Sequence, residues 1–134
     1  MNIATQLKQM GFKPDQIAGA LVDGKPLAAV EEKKPKSEMN KTEALYALEL
    51  DALLRENIIA SWKFESIKLR LAKRTWYTPD FFVIPTIGRP RFVEIKGFLR
   101  DDAAIKFKLA REAYPWADFV MLRRVKGQWV KVNI

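Results

Sequence analysis

A chain of 134 residues that is 49% hydrophobic and 30% charged has the size and composition of a single domain with its own core, far from those of a disordered polymer. It carries 24 Lys and Arg against 16 Asp and Glu, a formal net charge of +8, which points to an acidic polymer as partner, nucleic acid first. Cys and His are both absent, which excludes disulfides, Cys- or His-ligated zinc, thiol nucleophiles and imidazole bases; any catalysis must run on carboxylates, Lys or hydroxyls.

The opening MNIATQLKQMGFK has no apolar run of signal-peptide type, and no stretch approaches the roughly 18 apolar residues of a membrane span, so the chain reads as soluble and cytoplasmic. Ile3, Leu7 and Met10, then Ile17, Ala20 and Leu21, recur at helical spacing around Gly11 and Asp15 and predict a small helical hairpin over 1–26. Residues 27–40, rich in Lys and interrupted by Pro35, show no apolar periodicity and read as a linker to a domain over 41–134. In NKTEALYALELDALLREN, Tyr46, Ala47, Leu50, Leu53 and Leu54 form one apolar stripe, predicting a helix. FESIKLRL alternates Ile67, Leu69 and Leu71 with Lys68 and Arg70, the pattern of a strand with one buried and one basic face. The aromatic and β-branched run TWYTPDFFVIP, a turn over 86–91 holding Gly88 and Pro90, and RFVEIKGF predict a hairpin. DDAAIKFKLAREAYP reads as a helix capped by Asp101 and Asp102, stopped by Pro115 and presenting Ile105, Leu109 and Ala113 at helical spacing. DFVMLRRV and QWVKVNI flank Lys126-Gly127 as two short strands. The order helix, three strands, helix, two strands is that of an α+β domain.

The chemistry concentrates in the hairpin. Asp80 follows Pro79 on one predicted strand, and Glu94 and Lys96 lie two residues apart on the next, so their side chains share a face. Two carboxylates and an amine there supply hard oxygen donors for Mg²⁺ or Mn²⁺ and a cation to orient water or stabilise developing charge. Ile95 between them points to the opposite, buried face, and its backbone carbonyl is a further candidate ligand. Singly, each has a plainer reading: Asp80 as a turn residue, Glu94 and Lys96 as an exposed ion pair. Glu43 lies three residues after Asn40 and fits a capping box, yet it is also in line with Ala47 and Leu50 on the packing face; the residues leave both roles open. Lys68, Arg70, Lys73, Arg74, Lys106 and Lys108 make a candidate phosphate-contact surface or an ordinary solvated one. Trp62, Trp76, Tyr77 and Phe98 suit either base stacking or the core, and none is assigned a role.

Pro79-Asp80 followed by Glu94-Ile95-Lys96 resembles the signature of the PD-(D/E)XK nuclease superfamily. KTEALYALEL, FESIKLRL, YTPDFFV, VEIKGF and RDDAAIKFKLA, in that order over about residues 41–125, resemble a phage-encoded branch of it related to Holliday junction resolvases. The resemblance implies a restriction-endonuclease-like αβββαβ core, a mixed sheet flanked by helices, dependence on Mg²⁺ or Mn²⁺, and branched DNA as substrate. It further implies that Glu43 joins Asp80, Glu94 and Lys96 in the catalytic site. Asp80, Glu94, Glu43 and the Ile95 carbonyl would then be metal ligands, Lys96 would position water, and a homodimer would bring two sites to two strands. A reading from another class is a nucleic-acid-binding module of a recombination, transposition or packaging complex that keeps the fold without turnover.

Overall fold

Asn40 starts the first helix among the described residues by accepting a hydrogen bond from Glu43 N–H at 2.8 Å, and Glu43 Oε1 accepts one from Asn40 N–H at 2.9 Å, a complete capping box. The helix, α1, runs Lys41–Arg55 and ends where Asn57 turns left-handed at φ 59°. There Asn57 N–H reaches Leu54 O and Ile58 N–H reaches Leu53 O, the paired bonds that close a helix C-terminus. The computed structural model describes residues 30–97 and 101–134; the hairpin expected over 1–26, Phe98, and the capping side chains of Asp101 and Asp102 lie outside the described residues.

The remaining elements are β1 (Val30–Glu32), β2 (Ile59–Phe64), β3 (Ile67–Ala72), β4 (Thr75–Tyr77), β5 (Phe81–Pro85), β6 (Arg91–Ile95), α2 (Asp101–Ala113), β7 (Asp118–Val125) and β8 (Gln128–Lys131). The fold is α+β, with a mixed sheet flanked by helices. The five-stranded sheet has the order β2-β5-β6-β7-β8; only β6 and β7 are parallel, and α2 makes the crossover that this pairing requires. A second, three-stranded antiparallel sheet has the order β1-β3-β4. At the β7–β8 turn, Lys126 and Gly127 both have positive φ, 50° and 77°, the backbone that a tight two-residue hairpin needs.

Two apolar clusters cover opposite faces of the five-stranded sheet. Phe81, Val83, Val93 and Ile95 pack with Tyr46, Ala47 and Leu50 of α1. Phe82, Ile84 and Phe92 pack with Ile67, Leu69 and Tyr77 of the small sheet and with Phe107 and Ala110 of α2. A strand covered on both faces has no reason to alternate, and β5 accordingly reads as the unbroken run Phe81, Phe82, Val83, Ile84. Among the described residues, no helix is long and apolar enough to cross a membrane.

The structure departs from the sequence-based expectation in four places. Within the segment read as a linker, Val30–Glu32 form a strand whose partner is β3, with Glu31 opposite Lys68 and an ion pair at 3.1 Å between them. Strand β2 escaped notice because a bulge between Ile59 and Ser61 breaks the period-two pattern. The aromatic run TWYTPDFFVIP is two strands in different sheets, parted at 78–80, where Pro79 has no N–H to give a ladder. The packed stripe of α2 is not Ile105 and Leu109, which are 57% and 46% exposed, but Phe107 and Ala110, followed by Tyr114 just beyond the helix. Truncating Phe107 to Ala should therefore cost about 3–5 kcal/mol in urea unfolding, while Ile105→Ser should stay within about 0.5 kcal/mol of wild type. Equal costs would contradict this helix phase.

Candidate active site

The β5–β6 hairpin pairs Phe81 with Val93 and Phe82 with Phe92, and one further step of that register sets Asp80 across from Glu94. Asp80 precedes β5, and its side chain takes over from the backbone ladder: Oδ2 accepts from Ile95 N–H at 2.7 Å. Its carbonyl accepts from Glu65 N–H at 2.8 Å, which ties the site to the β2–β3 turn, where Glu65 itself is left-handed at φ 45°. Glu94 Oε2 accepts from the Tyr77 hydroxyl at 2.8 Å. The Ile95 side chain is buried toward α1. In an extended strand the N–H and C=O of one residue face the same edge, so the Ile95 carbonyl faces the Asp80 side.

Burial and mutual repulsion dominate the electrostatics. Removal from water, then the Glu94 charge, pushes the Asp80 carboxyl up to about 8; the Ile95 N–H opposes this, and Glu43 reinforces it both by charge and as a hydrogen-bond partner. Burial likewise pushes Glu94 up to about 7, against hydrogen bonds from the Tyr77 hydroxyl and the Asp80 backbone N–H and with help from the charges of Glu43 and Glu65. Tyr77 is raised well above the usual phenol range by its own burial and then by Glu94, so it stays a donor at neutral pH. The capping reading of Glu43 is the one the structure shows, its carboxylate accepting from Asn40 N–H, and from there its charge acts on Asp80.

Asp80, Glu94, Tyr77 and Glu65 line a cleft of about 590 Å³, together with Trp76, Thr78 and Ala103. Four lysines complete its lining: Lys33, Lys36, Lys68 and Lys106. Anionic side chains among cations match a phosphodiester that brings its own charge and a hard cation.

Of the residues singled out in the sequence, the structure brings Asp80 and Glu94 together, with Glu43 near enough for its charge to act on both. Lys96 lies just past the end of β6, two residues from Glu94 and half-buried, with its backbone N–H on Leu122 O at 2.7 Å; among the described residues its ammonium makes no ion pair with the carboxylates. Lys68 lines the cleft, paired with Glu31 and lying 4.5 Å above the Trp76 ring, and Lys106 lines it from α2. Arg70 Nε donates to Ala72 O at 3.4 Å, while Lys73 and Arg74 are exposed at the β3–β4 turn and Lys108 is exposed on α2, none of them lining the cleft. Sequence reasoning missed Lys33, Lys36 and Glu65 and gave Tyr77 no role. The Lys run of the supposed linker was the one available signal for the first two.

Among the described residues, no group of three or more acidic side chains is gathered to hold a metal as the side chains stand. Glu43 Oε1 is committed to Asn40 N–H, and Glu65 Oε1 accepts from Ser37 Oγ at 2.9 Å. What fits a divalent cation is the Asp80 and Glu94 pair, two half-buried oxygen-donor groups that repel each other and that an added positive charge would relieve.

Both carboxyls titrate higher in the folded chain than when unfolded, so the native state binds more protons at these two groups, and their contribution to stability falls as pH rises from about 4 to about 8. Asp80→Asn should raise the melting temperature at pH 8, by about 3–6 °C for each kcal/mol of repulsion removed, with the difference closing toward pH 4. A variant that melts below wild type at pH 8, or a gap independent of pH, would contradict this assignment. No family model, curated protein or solved structure matches this chain.

Proposed function

We propose that the protein is a divalent-metal-dependent DNA endonuclease. The observation that carries this reading is the Asp80 and Glu94 carboxylate pair, desolvated and facing each other across one hairpin in a lysine-lined cleft. A structural role gives no reason to keep two mutually repelling carboxylates there, whereas a cation and a phosphodiester give one.

In this reading Asp80, Glu94 and the Ile95 carbonyl hold Mg²⁺ or Mn²⁺, with Glu43 completing the site. The ion, when bound, offsets phosphate charge and lowers the pKa of water. Lys96 orients the attacking water, whose oxygen bonds to phosphorus as the bond to the 3′ oxygen breaks, leaving a 3′ hydroxyl and a 5′ phosphate. Lys33, Lys36, Lys68 and Lys106 contact backbone phosphates beside the scissile one, and Arg70, Lys73, Arg74 and Lys108 extend the basic surface. Branched DNA as substrate, a homodimer and a place among phage recombination enzymes in the host cytoplasm follow from the sequence resemblance and belong to the same proposal.

The binding-module alternative is favoured by one observation: Glu43 and Glu65 are engaged elsewhere, so two carboxylates rather than three are gathered. Cleavage assays on labelled junction, flap and linear DNA with Mg²⁺ or Mn²⁺ separate the two. Wild type should cut, and Asp80→Asn and Lys96→Ala should each lose about 100-fold or more while still binding. Full activity in Asp80→Asn would remove the mechanism, and binding without cleavage by wild type would select the module.

Cation binding to carboxyls that are partly protonated at pH 7 must also release protons. Adding Ca²⁺ to weakly buffered protein should acidify the solution at pH 7 and much less at pH 9. A pH-independent signal would exclude these two carboxyls as ligands.

A further inference from the structure

Resting on that reading of the cleft, we propose that Tyr77 is a positioning residue that presents Glu94 to the cation through a single oxygen. Tyr77 belongs to β4, opposite Leu69 in the small sheet, whereas Glu94 belongs to β6 in the five-stranded sheet. The Tyr77 ring is 5% exposed and packs in the cluster with Leu69, Phe82 and Phe107. The ring cannot shift without disturbing that packing, and its hydroxyl donates to Glu94 Oε2 at 2.8 Å. A carboxylate oxygen occupied by a fixed donor is a poorer partner for a metal, so the Tyr77 hydroxyl holds back Oε2 and directs the cation to Oε1, which the backbone donor beside it still leaves with a lone pair to offer. The phenol also confines a side chain that would otherwise sample several rotamers in a cleft open to solvent. This is the arrangement by which outer partners orient metal ligands, and their loss costs about 10- to 100-fold in metal affinity or activity. It also gives the small sheet a task at the site, because β4 carries the donor while β3, its neighbour, carries Lys68 of the cleft lining.

Tyr77→Phe deletes the hydroxyl and keeps the ring. Calorimetric titration of the full chain with Ca²⁺ at pH 8 should show affinity about 10-fold or more below wild type. The Mn²⁺ concentration for half-maximal DNA cleavage should rise by a similar factor, with most of the maximal rate recovered at saturating metal. A buried hydroxyl of purely structural value would lower the melting temperature and leave cation affinity unchanged, and that result overturns the proposal. A second measurement needs no variant: on Ca²⁺ addition to wild type, the infrared carboxylate bands should take the separation of single-oxygen coordination, and a two-oxygen pattern for Glu94, identified by its loss in Glu94→Gln, overturns it. If wild type binds neither Ca²⁺ nor Mn²⁺, the endonuclease reading falls and this proposal with it; if wild type binds and Tyr77→Phe binds equally well, only this proposal falls.

Discussion

Two half-buried carboxylates held side by side at the edge of the cleft are the constraint that the rest of the structure has to meet. Like charges brought together with part of their water removed are costly to a fold, and here the cost is reduced by hydrogen-bond donors from several elements. The Ile95 N–H serves Asp80, the Tyr77 hydroxyl and the Asp80 N–H serve Glu94, and the charge of Glu43 adds to the repulsion they offset. These groups come from both sheets and from the start of α1.

The five-stranded sheet is what makes such convergence possible. With α1 on one face and the small sheet and α2 on the other, β5 and β6 are packed on both sides. Their ends are therefore positioned as rigidly as the core itself. Asp80 and Glu94 occupy those ends, at the boundary where the apolar layers stop and the cleft begins. Glu43 caps α1, and from the helix's first turn its charge acts on the pair.

The parts of this arrangement that could be read from sequence are those carried by local patterns. The α1 stripe of Tyr46, Ala47 and Leu50, the alternation of Ile67 and Leu69 with Lys68 and Arg70, and the turn between β5 and β6 each follow from neighbours a few positions apart. The hairpin in turn set Asp80 against Glu94. What escaped depends on long-range partners. Val30–Glu32 has no strand pattern of its own and is extended because β3 offers an edge. In α2, Ile105 and Leu109 have the same spacing as a buried stripe, and only the position of the sheet decides that Phe107 and Ala110 turn inward. Tyr77 and Glu65 enter the cleft across two sheets and a left-handed turn, relations that no window of sequence displays.

Because Asp80 and Glu94 stand on the two arms of one short hairpin, the pair is a local product of the chain. Hairpins close in about 1–10 μs, whereas joining β6 to β7 requires α2 to form and cross over first. Electrostatic opposition between the two acids is therefore felt from the earliest stage of folding, before most of the groups that relieve it have arrived. Solution acidity thus bears on how readily this hairpin closes as well as on how stable the folded chain is.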